Sequence, residues 1–113
     1  MGKIPHLDAV LLLLVLAVPA TADILHVPAD NENLQEAVWM VGPGDTVLVA
    51  PGLYPVNLVW PSTPGIKLLS EAGAESTVLD GGAHAQVLGI YTGVDSSTVI
   101  RGFTIRGGIA EGT

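Results

Sequence analysis

The residues able to do chemistry are few and scattered. His26 and His84 lie far apart in sequence, and Ser70, Ser76, Ser96 and Ser97 fall at strand ends or turns with no Gly-x-Ser-x-Gly elbow to raise a nucleophile. A hydrolase triad therefore has no local support. Asp80 and Asp95 are candidate oxygen ligands, but a hard cation wants several oxygens converging on one point, and two carboxylates are a thin set. The absence of Cys excludes a zinc thiolate centre, a cysteine nucleophile and disulfide staples. Gly42-Pro43-Gly44 imitates half of a nucleotide loop, yet it follows a helical segment and lacks the third Gly and the Lys-Ser/Thr pair, so it reads as a helix stop. Trp60 and Tyr91 are the candidate carbohydrate contacts, since aromatic rings stack on sugars when they share an exposed face, whereas Trp39 is assigned to packing. No catalytic residue, cofactor or metal site is assigned.

Composition narrows the partners. The formal net charge of −7 disfavours nucleic acid and anionic lipid, whose binding needs Lys and Arg to displace counterions. Hydrophobic residues make up 49% and charged residues 13%, which fits a packed core rather than disorder.

The first 22 residues read as an export signal. A lead with Lys3, offset by Asp8, precedes an apolar run from Ala9 to Val18, and Ala20-Thr21-Ala22 forms the A-x-A pattern accepted by signal peptidase. That run is too short to span about 30 Å of hydrocarbon as a helix. Cleavage after Ala22 leaves residues 23–113 as one domain, exported to the periplasm, cell surface or medium and not held in a membrane.

The elements that would position side chains begin with a helix. Leu34, Ala37, Val38 and Val41 fall at i, i+3, i+4 and i+7, Asn33 is placed to cap, Glu36 completes a capping-box pattern, and Gly42-Pro43 ends the segment. Its apolar face should cover the unpaired edge of the sheet that begins at Thr46. Short strands are expected next at Thr46–Ala50, Val56–Trp60, Ile66–Ser70, Thr77–Asp80, Gln86–Tyr91 and Thr98–Ile105, separated by Gly, Pro, Asp and Ser. Gly52 and Tyr54 read as a tight turn with an aromatic lid.

Spacing chooses among the all-β architectures. Leu48, Leu68 and Leu88 recur every 20 residues, and Leu58, Leu79 and Ile100 every 21. A fixed period near twenty stacks apolar side chains along a solenoid, against the competing antiparallel sandwich. Within the phrases Thr46-Val47-Leu48, Thr77-Val78-Leu79 and Thr98-Val99-Ile100, the next residues Val49, Asp80 and Arg101 are assigned outward, and Ala50, Gly81 and Gly102 are corners.

Three phrases carry a resemblance. Ile24-Leu25-His26-Val27-Pro28-Ala29-Asp30, then Leu34-Gln35-Glu36-Ala37, then Gly44-Asp45-Thr46-Val47-Leu48-Val49-Ala50-Pro51-Gly52-Leu53-Tyr54 resemble the start of secreted, pectin lyase-like β-helix proteins. Val78-Leu79-Asp80-Gly81-Gly82 and Ile100-Arg101-Gly102-Phe103-Thr104-Ile105-Arg106-Gly107-Gly108 resemble their first coils. The resemblance implies an all-β, right-handed parallel β-helix with one short N-terminal capping helix, of which this chain holds the first two to three coils. Pectin methylesterases show Gly-x-Tyr-x-Glu where Gly52-Leu53-Tyr54 stands, but the Glu position is Val56. In pectate lyases carboxylates bind calcium and an arginine acts as base, which draws attention to Asp80 and Arg101. The glycine-rich calcium nonapeptide is absent after Gly81-Gly82. The functional expectation is a secreted, non-catalytic surface or scaffold module with a polysaccharide as partner. The alternative is the front of a polysaccharide lyase, esterase or hydrolase whose chemistry lies in further coils. Self-association through an uncapped C-terminal coil is also expected.

Overall fold

The computed structural model describes residues 22–92 and 94–108. The expected leader, apart from Ala22, lies outside the described residues. From β1 onward the chain winds as a parallel β-solenoid of about three turns, closed by one helix. Its elements are β1 (Ile24–Val27), α1 (Leu34–Met40), β2 (Thr46–Val49), β3 (Gly52–Pro55), β4 (Leu58–Val59), β5 (Lys67–Ser70), β6 (Thr77–Asp80), β7 (Leu88–Gly89), β8 (Val99–Arg101) and β9 (Thr104–Arg106). They form three parallel sheets, with orders β1-β2-β5-β8, β3-β6-β9 and β4-β7. Every pairing is parallel, so the chain winds in one direction and the antiparallel sandwich is ruled out.

Alternation along each short strand fills the interior. Val47 and Val49 of β2, Leu68 of β5, Thr77 and Leu79 of β6, and Leu58 of β4 are fully buried and meet Val27, Val38 and Ile66 in one core. Ile100 packs on that core above Leu68, as their register requires.

The parallel winding matches expectation but the fixed period does not. Val47 stacks on Leu68, and Leu48 stacks on Leu69, so Leu48 and Leu68 occupy adjacent columns on opposite faces. Leu88 belongs to another sheet and lies over Leu58. Leu79 lies over Tyr54 and under Ile105, not between Leu58 and Ile100. Thr46 pairs with Lys67 after 21 positions, but Lys67 pairs with Val99 only after 32, because the turns between sheets differ in length while the sheets keep register. Val49, assigned outward, is buried; Asp80 and Arg101 do face outward. Gly102 is a corner as expected, with φ +89, where a Cβ would collide with Ser70 Oγ.

Three strands escaped the sequence reading: β1, β3 and β9, the last because the stretch expected as one strand, Thr98–Ile105, turns at Gly102 into β8 and β9 of two different sheets. β1 pairs with β2 across Ile24↔Thr46 to Val27↔Val49, so the edge expected to lie under the helix is already occupied. Gly52 to Pro55 form β3 rather than a tight turn, and Tyr54 packs against the core with its hydroxyl donating to Ala50 O at 2.7 Å.

The helix caps the end of the core and one other edge. Asn33 Oδ1 accepts from the Glu36 amide at 3.0 Å, as the capping pattern predicts. Glu36 does not complete the reciprocal box; its Oε1 accepts from Asn31 Nδ2, and Asn31 Oδ1 takes the Asn33 amide. Leu34, Ala37 and Val38 are buried against the core. On the flank, Gln35 grips the edge of β4: Val59 N donates to Gln35 Oε1 at 2.7 Å, and Gln35 Nε2 donates to Val59 O at 2.9 Å. The carboxamide thus supplies the ladder rung that a neighbouring strand would have made.

Candidate functional site

Each coil presents one outward position on the β4-β7 wall. Leu58 and Trp60 point inward and Val59 outward, a period of two. One coil on, Val59 pairs with Gly89, about 4.8 Å away by ordinary strand spacing. Gly89 has no side chain to fill the outward position. A Cβ there would stand 3.1 Å from Tyr91 Cε2 and Oη, so the Tyr91 ring lies across the strand where the missing side chain would be. Tyr91 as a whole remains 72% exposed.

The helix extends the wall in the opposite axial direction. Trp39 Nε1 donates to Val59 O at 2.8 Å, which fixes the indole at the β4 edge while the residue stays 59% exposed. Trp39, Val59 and Tyr91 therefore form an axial series of exposed apolar groups, each tied to the next through the backbone of β4 and β7. Beside it is a shallow groove of about 90 Å³ lined by Asn57, Val59, Ala85, Gln86 and Tyr91 among others. Asn57 Nδ2 donates to Gly81 O at 3.1 Å and Gln86 O at 2.9 Å, which ties the groove's floor to the next coil. With the Asn57 amide donors spent on these two carbonyls, the groove offers the Asn57 Oδ1, the Gln86 carboxamide and the exposed Tyr91 side chain as its free donor, acceptor and aromatic groups.

Trp60 is not available for that role. It is 3% exposed and belongs to the core, with its indole N–H buried and unpartnered. Tyr91 is exposed on the wall, and Trp39, assigned to packing, is exposed at the wall's other end.

The other chemical candidates are not brought together. Asp80 stands opposite Arg106, not Arg101, and bonds Arg106 Nε at 3.1 Å and the Gly82 amide at 2.9 Å. The Gly82 amide and, after it, the Arg106 guanidinium hold its carboxyl below the ordinary value. Arg101 is exposed on β8, in a different sheet. Asp95 accepts from the hydroxyl and amide of Ser97 in the turn before β8, and these bonds lower its carboxyl too. His26 bonds Asp30 at 3.2 Å beside β1, while His84 lies in the turn before β7. Among the described residues, no group of three or more His, Cys, Asp or Glu is placed to hold a metal, and no helix is long and apolar enough to cross a membrane.

A larger cavity of about 370 Å³ lies between α1 and β3, lined by Glu32, Asn33, Leu34, Tyr54, Pro55 and Val56. Its polar groups are already committed, since Asn33 caps the helix and the Tyr54 hydroxyl serves Ala50. Only Glu32 is left to recognise a ligand there.

No family model, curated protein or solved structure matches the chain. The functional reading rests on the wall itself.

Proposed function

We propose that this is an exported, non-catalytic β-solenoid module whose β4-β7 wall contacts an uncharged polysaccharide. The observation that carries the reading is the Trp39–Val59–Tyr91 series, two exposed rings of which Trp39 is held by its indole hydrogen bond and Tyr91 stands beside Asn57 and Gln86. Holding the Trp39 ring before binding lowers the ordering cost of association. The net charge of −7 selects against polyuronates, whose carboxylates would be repelled, and in favour of neutral glucans, xylans or mannans. Kinship with pectin lyase-like proteins is part of the proposal, supported by the phrases around Asp45 and Arg101. The polysaccharide-cleaving alternative gains nothing from these coils, because Asp80 is spent on Arg106 and Val56 replaces the esterase glutamate.

Affinity electrophoresis and tryptophan fluorescence titration against hydroxyethyl cellulose, arabinoxylan, galactomannan and polygalacturonate test the proposal. At least one neutral polymer should bind, polygalacturonate should not, and Tyr91→Ala should weaken binding about three- to tenfold, the loss of roughly one ring contact. Equal binding by parent and Tyr91→Ala, or binding to polygalacturonate alone, would overturn it.

A further inference from the structure

The Ala22–Asp23 peptide bond joins the end of the Ala20-Thr21-Ala22 motif to the residue before β1, and both flanking residues are exposed. Asp23 is held from both of its backbone groups by one dipeptide. Its N donates to Asp45 Oδ1 at 2.9 Å, and its carbonyl accepts from Thr46 N at 2.9 Å. Asp45 also receives the Gly42 amide on Oδ2 at 2.8 Å, and its own carbonyl accepts from Lys67 N at 3.0 Å. A single residue therefore joins the start of β1 to the turn after α1 and to the first residue of β5.

Taking cleavage at the Ala22–Asp23 bond from the sequence, we infer that Asp45 receives the amino terminus which that processing creates. The inference rests on the export reading of the first 22 residues. Hydrolysis consumes one water; Ala22 leaves with a carboxylate on the released leader, and the Asp23 nitrogen becomes an α-amine that takes up a proton at neutral pH. That nitrogen already lies within hydrogen-bond distance of a carboxylate oxygen, so no rearrangement is needed. An amide N–H donated to a carboxylate becomes an ammonium–carboxylate ion pair, with a full positive charge now on the donor as well. The two backbone amides on Asp45 hold its carboxyl below the ordinary range, so the acceptor is already an anion when the ammonium forms. Removal of the leader thus tightens β1, the outermost described strand of its sheet.

The experiment starts from the full chain expressed in a host with a general secretion pathway. N-terminal sequencing and intact mass of the exported product should give Asp23 as the first residue. On that product, selective Nα-acetylation, which keeps a donor but removes the charge, should lower Tm by a few degrees and speed hydrogen exchange of the Ile24–Val27 amides several-fold. Asp45→Asn should do the same, and acetylation of Asp45→Asn should add nothing further. Ser76→Ala, an exposed change elsewhere, serves as the control and should leave the acetylation effect intact. A mature terminus at another residue overturns the processing site and the inference with it. A terminus at Asp23 whose acetylation changes nothing, or acts equally in Asp45→Asn, overturns the role of Asp45 alone and leaves the export reading standing.

Discussion

The rung that Gln35 supplies to β4 offers a sharp test of how this solenoid protects an edge. Gln35→Ala removes two hydrogen bonds, of 2.7 and 2.9 Å, both at an exposed boundary. Such bonds contribute at the low end of the usual range, about 0.5–1 kcal/mol each, and alanine returns a few tenths through helix propensity. The net loss is about 1 kcal/mol, equivalent to a fall in Tm of about 4–8 °C for a domain of this size. Gln35→Glu separates the two bonds. A carboxylate still accepts from Val59 N but cannot donate to Val59 O, and it sets two acceptors facing each other. Stability should therefore fall at pH 7 and recover as pH drops below about 4.3, where the protonated acid donates again. This runs opposite to the acid response of the parent. Urea unfolding of parent, Gln35→Ala and Gln35→Glu at pH 3.5 and pH 7 would decide the matter. A Gln35→Glu variant that loses stability on acidification in parallel with the parent would refute the claim that the carboxamide acts as a ladder rung.

Two further predictions concern the core and the carboxylates. Leu68→Ala, at a fully buried position in a central strand, should cost about 2–5 kcal/mol, whereas Leu69→Ala on the outward face should cost under about 1 kcal/mol; equal losses in thermal unfolding would contradict the assigned inward face. The carboxyls of Asp30, Asp45, Asp80 and Asp95 are all held below their ordinary value of 3.8, chiefly by hydrogen bonds from backbone amides and, at Asp95, first from the Ser97 hydroxyl. A carboxyl lowered in the folded state stabilises it above the unfolded value, so stability should be complete above about pH 5 and decline as pH falls through the lowered values. Tyr54 works in the opposite sense: burial raises its phenol above 10.0, so its contribution is present below that pH and is lost as pH rises through the folded value. Denaturant midpoints from pH 2 to 11 check both limbs, and a flat acid limb would refute the first.

The helix was legible because every cue for it is local: an apolar stripe, Asn33 as cap, and Gly42-Pro43 as stop. The all-β class was legible from the run of short strands without intervening helices, and the solenoid was reached through a spacing near twenty and the resemblance of the Gly44–Tyr54 phrase, although that spacing is not the true repeat. The columns were not. Thr46-Val47-Leu48 and Thr77-Val78-Leu79 look alike, yet Val47 points inward in the first while Thr77 and Leu79 do so in the second. The two phrases belong to different sheets, and only strand pairing, a long-range fact, fixes the phase of the alternation. β3 was missed because Pro51-Gly52 and Pro55 carry turn chemistry, although an edge position tolerates proline. At the wall, the cues were present but unused. Trp60 shares the period-two face of Leu58 and so had to be inside, while Trp39 and Gln35 fall off the stripe made by Leu34, Ala37, Val38 and Val41 and so had to be at the flank.

The wall and the core are separable for a structural reason. β4 and β7 are only two residues long, so their backbones make few rungs, and side chains complete the connection: Gln35 from the helix and Asn57 from the corner. The inward residues Leu58, Trp60 and Val87 are set by burial, and the outward ones are free to answer to a ligand. Tyr91 and Trp39 differ in this respect. The Tyr91 ring rests on Gly89, whereas Trp39 also donates to Val59 O. Truncating Tyr91 should therefore change affinity with little change in Tm, while truncating Trp39 should change both. Trp39→Phe, which keeps an aromatic face but loses the indole donor, should restore part of the binding without restoring the hydrogen bond. If Tyr91→Ala instead destabilised the fold as much as Leu68→Ala, the ring would be serving the core, and the wall would have no claim to be a binding surface.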